Sequence, residues 1–433
     1  MKEHTGFARW KIWAAALAAG ATLGAGAAHA QTDTAAAPAA PTPPAAASPA
    51  AMPPPPAPAP MAPPPPMATP PSAVAAEVKP PTATEAMPAT RPDVLPPIDV
   101  GAWIRAGGIF QGSDPSKVND WHMDNAYVEL HTGGKVTKNV GVTLNLNANM
   151  ANYGTSTPGG AVALEDAIIS FDFANEFHLW GGHLLVPVDR ANASGPFFMI
   201  PWNYPGVAVG ALPKEGPSGR NNGTVVWGDI EGGKFNYEAG VFDNGDIGVS
   251  PLYSARLRLA LLDPEPGFWG NGSYFGDKDV LTIDVGGQVQ AHGSSAAATA
   301  TTAAVDKAYA EVNADVLLEK KIPGGGWGTF EGAYYHYNVL DGGLSDSLYV
   351  LAAYATPTIG VGNLQPMVRY QWAKVKSGTG TNPWNLDAGL SYLIKGPALR
   401  VLATYSHTRI GTDAAGDALT ANSIQIGAQA IFF

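Results

Sequence analysis

The sequence predicts an all-β protein: a transmembrane antiparallel β-barrel of about 16 strands over residues 98–433, preceded by two segments outside the fold. Three observations predict it. Apolar and polar side chains alternate residue by residue in successive runs, the connections between runs alternate short and long, and the polar face of the runs carries Arg, Asp, Glu and Asn. After Ala30 no apolar run reaches the roughly 20 residues that a spanning helix needs. The chain has no cysteine, which excludes a disulfide framework and any Cys-based zinc or redox site. Its formal charge of −11 argues against nucleic acid as a partner, because phosphate binding needs a basic surface.

In chain order, residues 1–30 read as a signal peptide. Lys2, Arg9 and Lys11 precede an uncharged stretch from Ile12 to Ala28, and Ala28-His29-Ala30 supplies the small-residue exit. Residues 31–97 hold 23 of the 39 prolines. Proline fixes φ and lacks an N–H, so this tract favours extended polyproline II and buries no core. It reads as a disordered, semi-rigid periplasmic spacer; an arm contacting the cell wall (peptidoglycan) is the alternative. From Ile98 the period becomes two. Runs fall at 99–111, 121–133, 137–152, 162–173, 177–187, 222–231, 234–243, 252–262, 279–291, 306–320, 326–338, 347–356, 363–375, 383–394, 398–410 and 420–433, with 162–173 and 326–338 poorly phased. In 253–260, for example, Tyr253, Ala255, Leu257 and Leu259 oppose Ser254, Arg256, Arg258 and Ala260.

Glycine turns such as Gly232-Gly233 mark one end of the hairpins, and longer polar loops such as 153–161 mark the other. Residues 263–278 break the rule, being long on the short side and carrying Pro264, Pro266, Phe268 and Trp269. Tyr237, Trp269, Trp327, Trp372, Trp384 and Tyr392 sit near run ends, where an interfacial girdle is expected. A soluble sandwich or propeller is the competing architecture. A water-facing polar side on nearly every run and the unpaired edges that only closure removes favour the barrel.

The longest connection, about 188–221, follows the fifth run and is the third loop on the long-loop side. Its stretch from Pro196 to Pro205 is aromatic and Pro-stiffened, and its charges are Asp189, Arg190, Lys214, Glu215 and Arg220. Such apolar content packs against a wall more favourably than it sits in water; a surface loop serving trimer contacts is the plainer alternative. Arg256 and Arg258 share a face at i and i+2, and Arg105, Arg369 and Arg400 are placed inward on other runs. Inward acids outnumber them, among them Glu129, Asp166, Glu238, Asp284, Asp315 and Asp387. These charges are the selectivity candidates, and replacing Arg256 and Arg258 by Ala is expected to shift ion preference toward cations.

On the signal peptide, the Gly-Gly-turned hairpins over 98–433 and the terminal Phe433, the chain resembles Gram-negative outer-membrane general porins. In layout it is most similar to the sixteen-stranded trimeric type, with the phosphate-selective porin O/P family as a narrower candidate. The resemblance implies a setting of outer-membrane lipid and lipopolysaccharide, a homotrimer, a third loop folded inward as a constriction, and an aromatic end read by the barrel-assembly machinery. The phase departs at that end, since Ile424, Ile426, Ala428 and Ala430 lead to Phe432 and leave Phe433 out of register. The expected function is passive diffusion of small hydrophilic solutes and ions, without cofactor or metal. A channel specific for phosphate or other small anions, sugars or dicarboxylates is the alternative. An enzyme would need a positioned nucleophile and base, yet neither G-x-S-x-G nor H-E-x-x-H occurs.

Overall fold

The computed structural model describes residues 98–114, 118–149, 162–209, 219–243, 250–296, 305–338, 343–376, 382–412 and 417–432. The signal-peptide and Pro-rich segments, Lys214, Glu215 and Phe433 lie outside the described residues.

The chain forms β1 (Ile98–Asp114), β2 (Val118–Lys135), β3 (Val140–Asn149), β4 (Val162–Ala174), β5 (Phe177–Leu185), β6 (Arg220–Ile230), β7 (Phe235–Phe242) and β8 (Leu252–Ala260). It continues with β9 (Val280–Ala296), β10 (Val305–Lys321), β11 (Trp327–Asn338), β12 (Leu344–Ala355), β13 (Asn363–Val375), β14 (Trp384–Lys395), β15 (Leu399–Thr412) and β16 (Ala418–Phe432). Two short helices, α1 (Arg190–Ser194) and α2 (Gly206–Val209), lie in the β5–β6 connection. Every neighbouring pair is antiparallel and sequential, and β1 closes on β16 in register from Ala102–Phe432 to Asp114–Thr420. Closure leaves no strand edge, the condition for placing a sheet in lipid. Among the described residues no helix is long and apolar enough to cross a membrane.

The period-two pattern becomes two faces. On β8 Ser254, Arg256 and Arg258 are buried while Tyr253, Leu257 and Leu259 are exposed. The same phase runs around the barrel, with Val142, Leu144, Ile283, Val285, Val368 and Ile426 all facing out. An outward apolar band over an inward polar face is the membrane-barrel arrangement. Leu257→Arg, which puts a charge on the lipid side between two inward arginines, is therefore expected to cost about 2–4 kcal/mol. Urea titration in phospholipid vesicles would measure it; an unchanged midpoint would show that this face does not meet lipid.

Both poorly phased runs have structural causes. In β4 the register against β3 slips between Asn145 and Leu146, so Glu165 bulges and both Glu165 and Asp166 turn inward. In β11 the inward residues Ala333, Tyr335 and Tyr337 are apolar or aromatic because they pack with Ala191 and Val207 of the β5–β6 connection. The girdle expectation needs correcting at two positions. Trp327 is buried against Phe275, and Trp269 stands beside Phe268 and the Arg220 guanidinium in the β8–β9 connection. Tyr237, Trp372, Trp384 and Tyr392 remain half-buried on their strands.

Candidate functional site: the inner face and the β5–β6 connection

The segment leaving β5 enters α1 at Asp189, whose extended backbone and side chain cap the helix: Oδ1 accepts the Asn192 N–H at 2.6 Å. All five α1 residues are buried. The root of the segment lies close to the wall where β9 has no side chain, since a Cβ on Gly286 would collide with the Val188 carbonyl. An apolar cluster of Val186, Val188, Trp227, Phe242 and Phe268 surrounds the root.

Arg190 is the centre of a buried charge network. Its guanidinium is fully buried and donates to both carboxylate oxygens of Glu265 at 2.9 and 3.0 Å, to Asp315 at 3.1 Å and to Asp284 at 3.2 Å. Burial works against the charge; Asp284, Glu265 and Asp315 more than offset it and hold the guanidinium pKa above its ordinary value. Arg256 donates to Asp284 and lies 3.7 Å from Glu238. Arg258 donates to Glu238 at 3.3 Å and to the carbonyls of Glu265 and Gly267 at 3.0 and 3.2 Å. The two-arginine ladder thus stands on the inner face, with its guanidinium groups engaged by carboxylates and carbonyls.

Glu265 belongs to the β8–β9 connection, outside the strands. Burial pushes its carboxyl up, but the Arg190 charge and hydrogen bonds bring it down to about 2. Because the folded value is depressed, its stabilising contribution is complete above the unfolded value of about 4.3 and is lost as pH falls toward 2. Wild-type protein should accordingly exceed Glu265→Gln in unfolding midpoint at neutral pH. That advantage should shrink as pH falls from about 4 toward about 2. A difference that stays constant over this window would show that Glu265 is not held ionised.

Farther along, residues 197–206 lie against the opposite wall, where arginines from three strands hold their backbone. Arg400 of β15 donates to the Met199 and Ile200 carbonyls at 2.7 and 3.1 Å, Arg105 of β1 to Trp202 O at 2.6 Å, and Arg369 of β13 to Asn203 O at 2.8 Å. Gln429 of β16, in register with both Arg105 and Arg400, donates to Phe197 O at 2.9 Å. The Trp202 ring fits because β16 has glycine opposite it, and a Cβ on Gly427 would meet the ring. Arg105 covers a face of this ring with Cζ 3.8 Å from its centroid. Arg369 is paired with Asp387 at 2.8 Å, whereas Arg105 and Arg400 make no ion pair among the described residues. Between this stretch and Arg369, Gln371, Asp387 and Gln425 a cavity of about 10 Å³ remains, about the room of a single water.

Of the sequence candidates, then, Asp189 and Arg190 sit at the root of the connection, Arg256 and Arg258 beside it, and Arg105, Arg369 and Arg400 at its far end. Arg220 is the first residue of β6 rather than part of the loop, and it pairs with Glu165 at 2.9 Å and Asp166 at 3.2 Å. Glu265 and Gln429 escaped the sequence reading. The irregular length of 263–278 was the available signal for the first, and the alternation with Ala428 and Ala430 puts the second inward without naming its partner.

A closed antiparallel barrel of 16 strands, apolar outside and polar inside, has the fold of the outer-membrane porins. No protein-family model matches the sequence, and no curated protein matches it. Solved structures do. OprB of Pseudomonas putida matches at TM-score 0.58 and 9% identity, over 77% of this chain and 94% of that one. The anion-selective porin of Comamonas acidovorans matches at 0.51 and 11%, over 78% and 99%. A loop-L8 deletion mutant of OmpT, an outer membrane protein of Vibrio cholerae, matches at 0.50 and 15%, over 78% and 99%. At these identities the likeness establishes the fold, and the narrower resemblance to the phosphate-selective porin O/P family draws nothing from it.

Proposed function

We propose that this protein is an outer-membrane channel for passive diffusion of small hydrophilic solutes and ions, narrowed by its third loop, the β5–β6 connection, folded inward as a constriction. The observation that carries the reading is the set of arginines from β1, β13 and β15 that donate to successive loop carbonyls on the barrel's inner face. An external loop has no reason to present its backbone there. Residues 1–30 act as the export signal and 31–97 as a spacer, and the barrel assembles as a homotrimer among lipid and lipopolysaccharide.

One observation favours the alternative, a channel specific for small anions. Arg105 and Arg400 are buried cations on neighbouring sides of β16 with no carboxylate partner among the described residues. A shared fold with an anion-selective porin is consistent with it; the overall charge of −11 weighs against it. Recordings from single channels in planar bilayers separate the readings. Conductance that scales with bulk salt, with a weak reversal potential in a salt gradient, supports general diffusion. Saturation and an anion-sided reversal potential support the alternative, and absence of any conductance steps overturns both.

A further inference from the structure

We propose that the β8–β9 connection, residues 261–279, is a gate: a strap folded in from the short-turn end of the barrel that closes that mouth and swings aside for solutes to pass. The proposal rests on the channel reading above and takes that end as periplasmic.

Other connections at this end are brief, such as 175–176 and 231–234, and this one is not. Its residues turn into the barrel rather than away from it. Phe268 is buried among Leu184, Trp227 and Phe242, near the strands from which the strap departs. Phe275, by contrast, packs on Trp327 of β11, Ala355 of β12 and Leu393 of β14. The Arg400 guanidinium of β15 lies 5.7 Å from its ring centroid. The strap therefore reaches from β8 and β9 to the wall six strands away, across the mouth.

Inside, it meets the third loop. Arg190 grips Glu265 through both carboxylate oxygens and donates to Asn271 O at 3.0 Å, and the Gly270 N–H donates to Ala193 O at 3.3 Å. With both segments in place the inward side chains at this level, Arg190, Asp284 and Asp315 among them, are buried. A solute taking this end of the barrel meets both segments, and the gate assigns the movement to one of them. The third loop is stiffened by Pro196, Pro201 and Pro205 and held by arginines from three strands. The strap instead carries glycine at 267, 270, 272 and 276, with φ of 100° at Gly267 and 84° at Gly276. Its grip on the third loop is the Arg190–Glu265 pair and single hydrogen bonds, with no strand ladder joining it to the wall among the described residues. The strap is the part that moves.

A reversible lock tests this on the full chain, which has no native cysteine to interfere. A Cβ on Gly270 would lie 3.4 Å from that of Ala193 and 3.2 Å from the flexible Arg256 head group, close to the Cβ separation of about 3.8 Å in a disulfide. Ala193→Cys with Gly270→Cys should conduct like wild type when reduced and lose most of its unit conductance when oxidised, with the bond verified by mass. Equal conductance in both states, while wild type conducts, overturns the gate and leaves the channel reading standing. As a second arm, replacing 264–277 by two glycines should raise conductance several-fold, and an unchanged value overturns the gate. If neither wild type nor this deletion conducts, the channel reading falls and the gate with it.

Discussion

Arg190→Ala is expected to cost the folded barrel about 3–5 kcal/mol, the range for removing one partner of a buried ion pair. The guanidinium satisfies Glu265, Asp284 and Asp315 at once from a fully buried position. Its loss leaves three carboxylates facing each other, with Arg256 and Arg258 alone to balance Asp284. Arg190→Lys should recover little, because a point charge cannot reproduce the fork that holds both Glu265 oxygens. Urea unfolding in detergent, followed by the mobility difference between folded and heated protein, measures the loss. A variant within about 0.5 kcal/mol of wild type would mean that water replaces the guanidinium at no cost, and that the root of the third loop is solvated.

Trp202→Ala should produce the largest change in permeation together with a stability loss of about 3–5 kcal/mol. The ring lies between the Arg105 guanidinium and the glycine of β16, and the residue lines the small cavity beside Arg369 and Asp387. Removing it enlarges that cavity and frees one guanidinium from its aromatic face, so unit conductance should rise and anion preference with it. Recording the variant against wild type at one salt concentration tests both effects. An increase in conductance without change of preference would show that Arg105 does not reach the water path. No change in either would place the narrow point elsewhere.

The barrel wall was readable residue by residue because lipid and lumen impose opposite demands on successive side chains. Leu257 between Arg256 and Arg258 has one physical explanation, and all 16 strands recur within a few residues of the expected runs. The reading blurred where the alternation serves something other than lipid and water. At Glu165 a bulge adds a residue to β4 and shifts the phase. At Tyr335 and Tyr337 the inner face meets protein and turns aromatic. Trp327 looked like an interfacial residue because it begins a strand, yet its neighbour is Phe275, from the β8–β9 connection 52 positions earlier, a contact that local alternation does not encode.

The inward arginines mark the same boundary from the chemical side. That Arg105, Arg256, Arg258, Arg369 and Arg400 point inward follows from their phase alone, a local property fixed by the pleat of each strand. Which oxygen each one meets depends on where two non-repetitive connections travel once the barrel has closed. Arg400 finds the carbonyls of residues 200 or so positions earlier, and Arg190 finds a glutamate from the opposite end of the barrel. Alternation encodes a face; only closure of the sheet brings distant connections into one enclosed space, where each buried charge must find a partner.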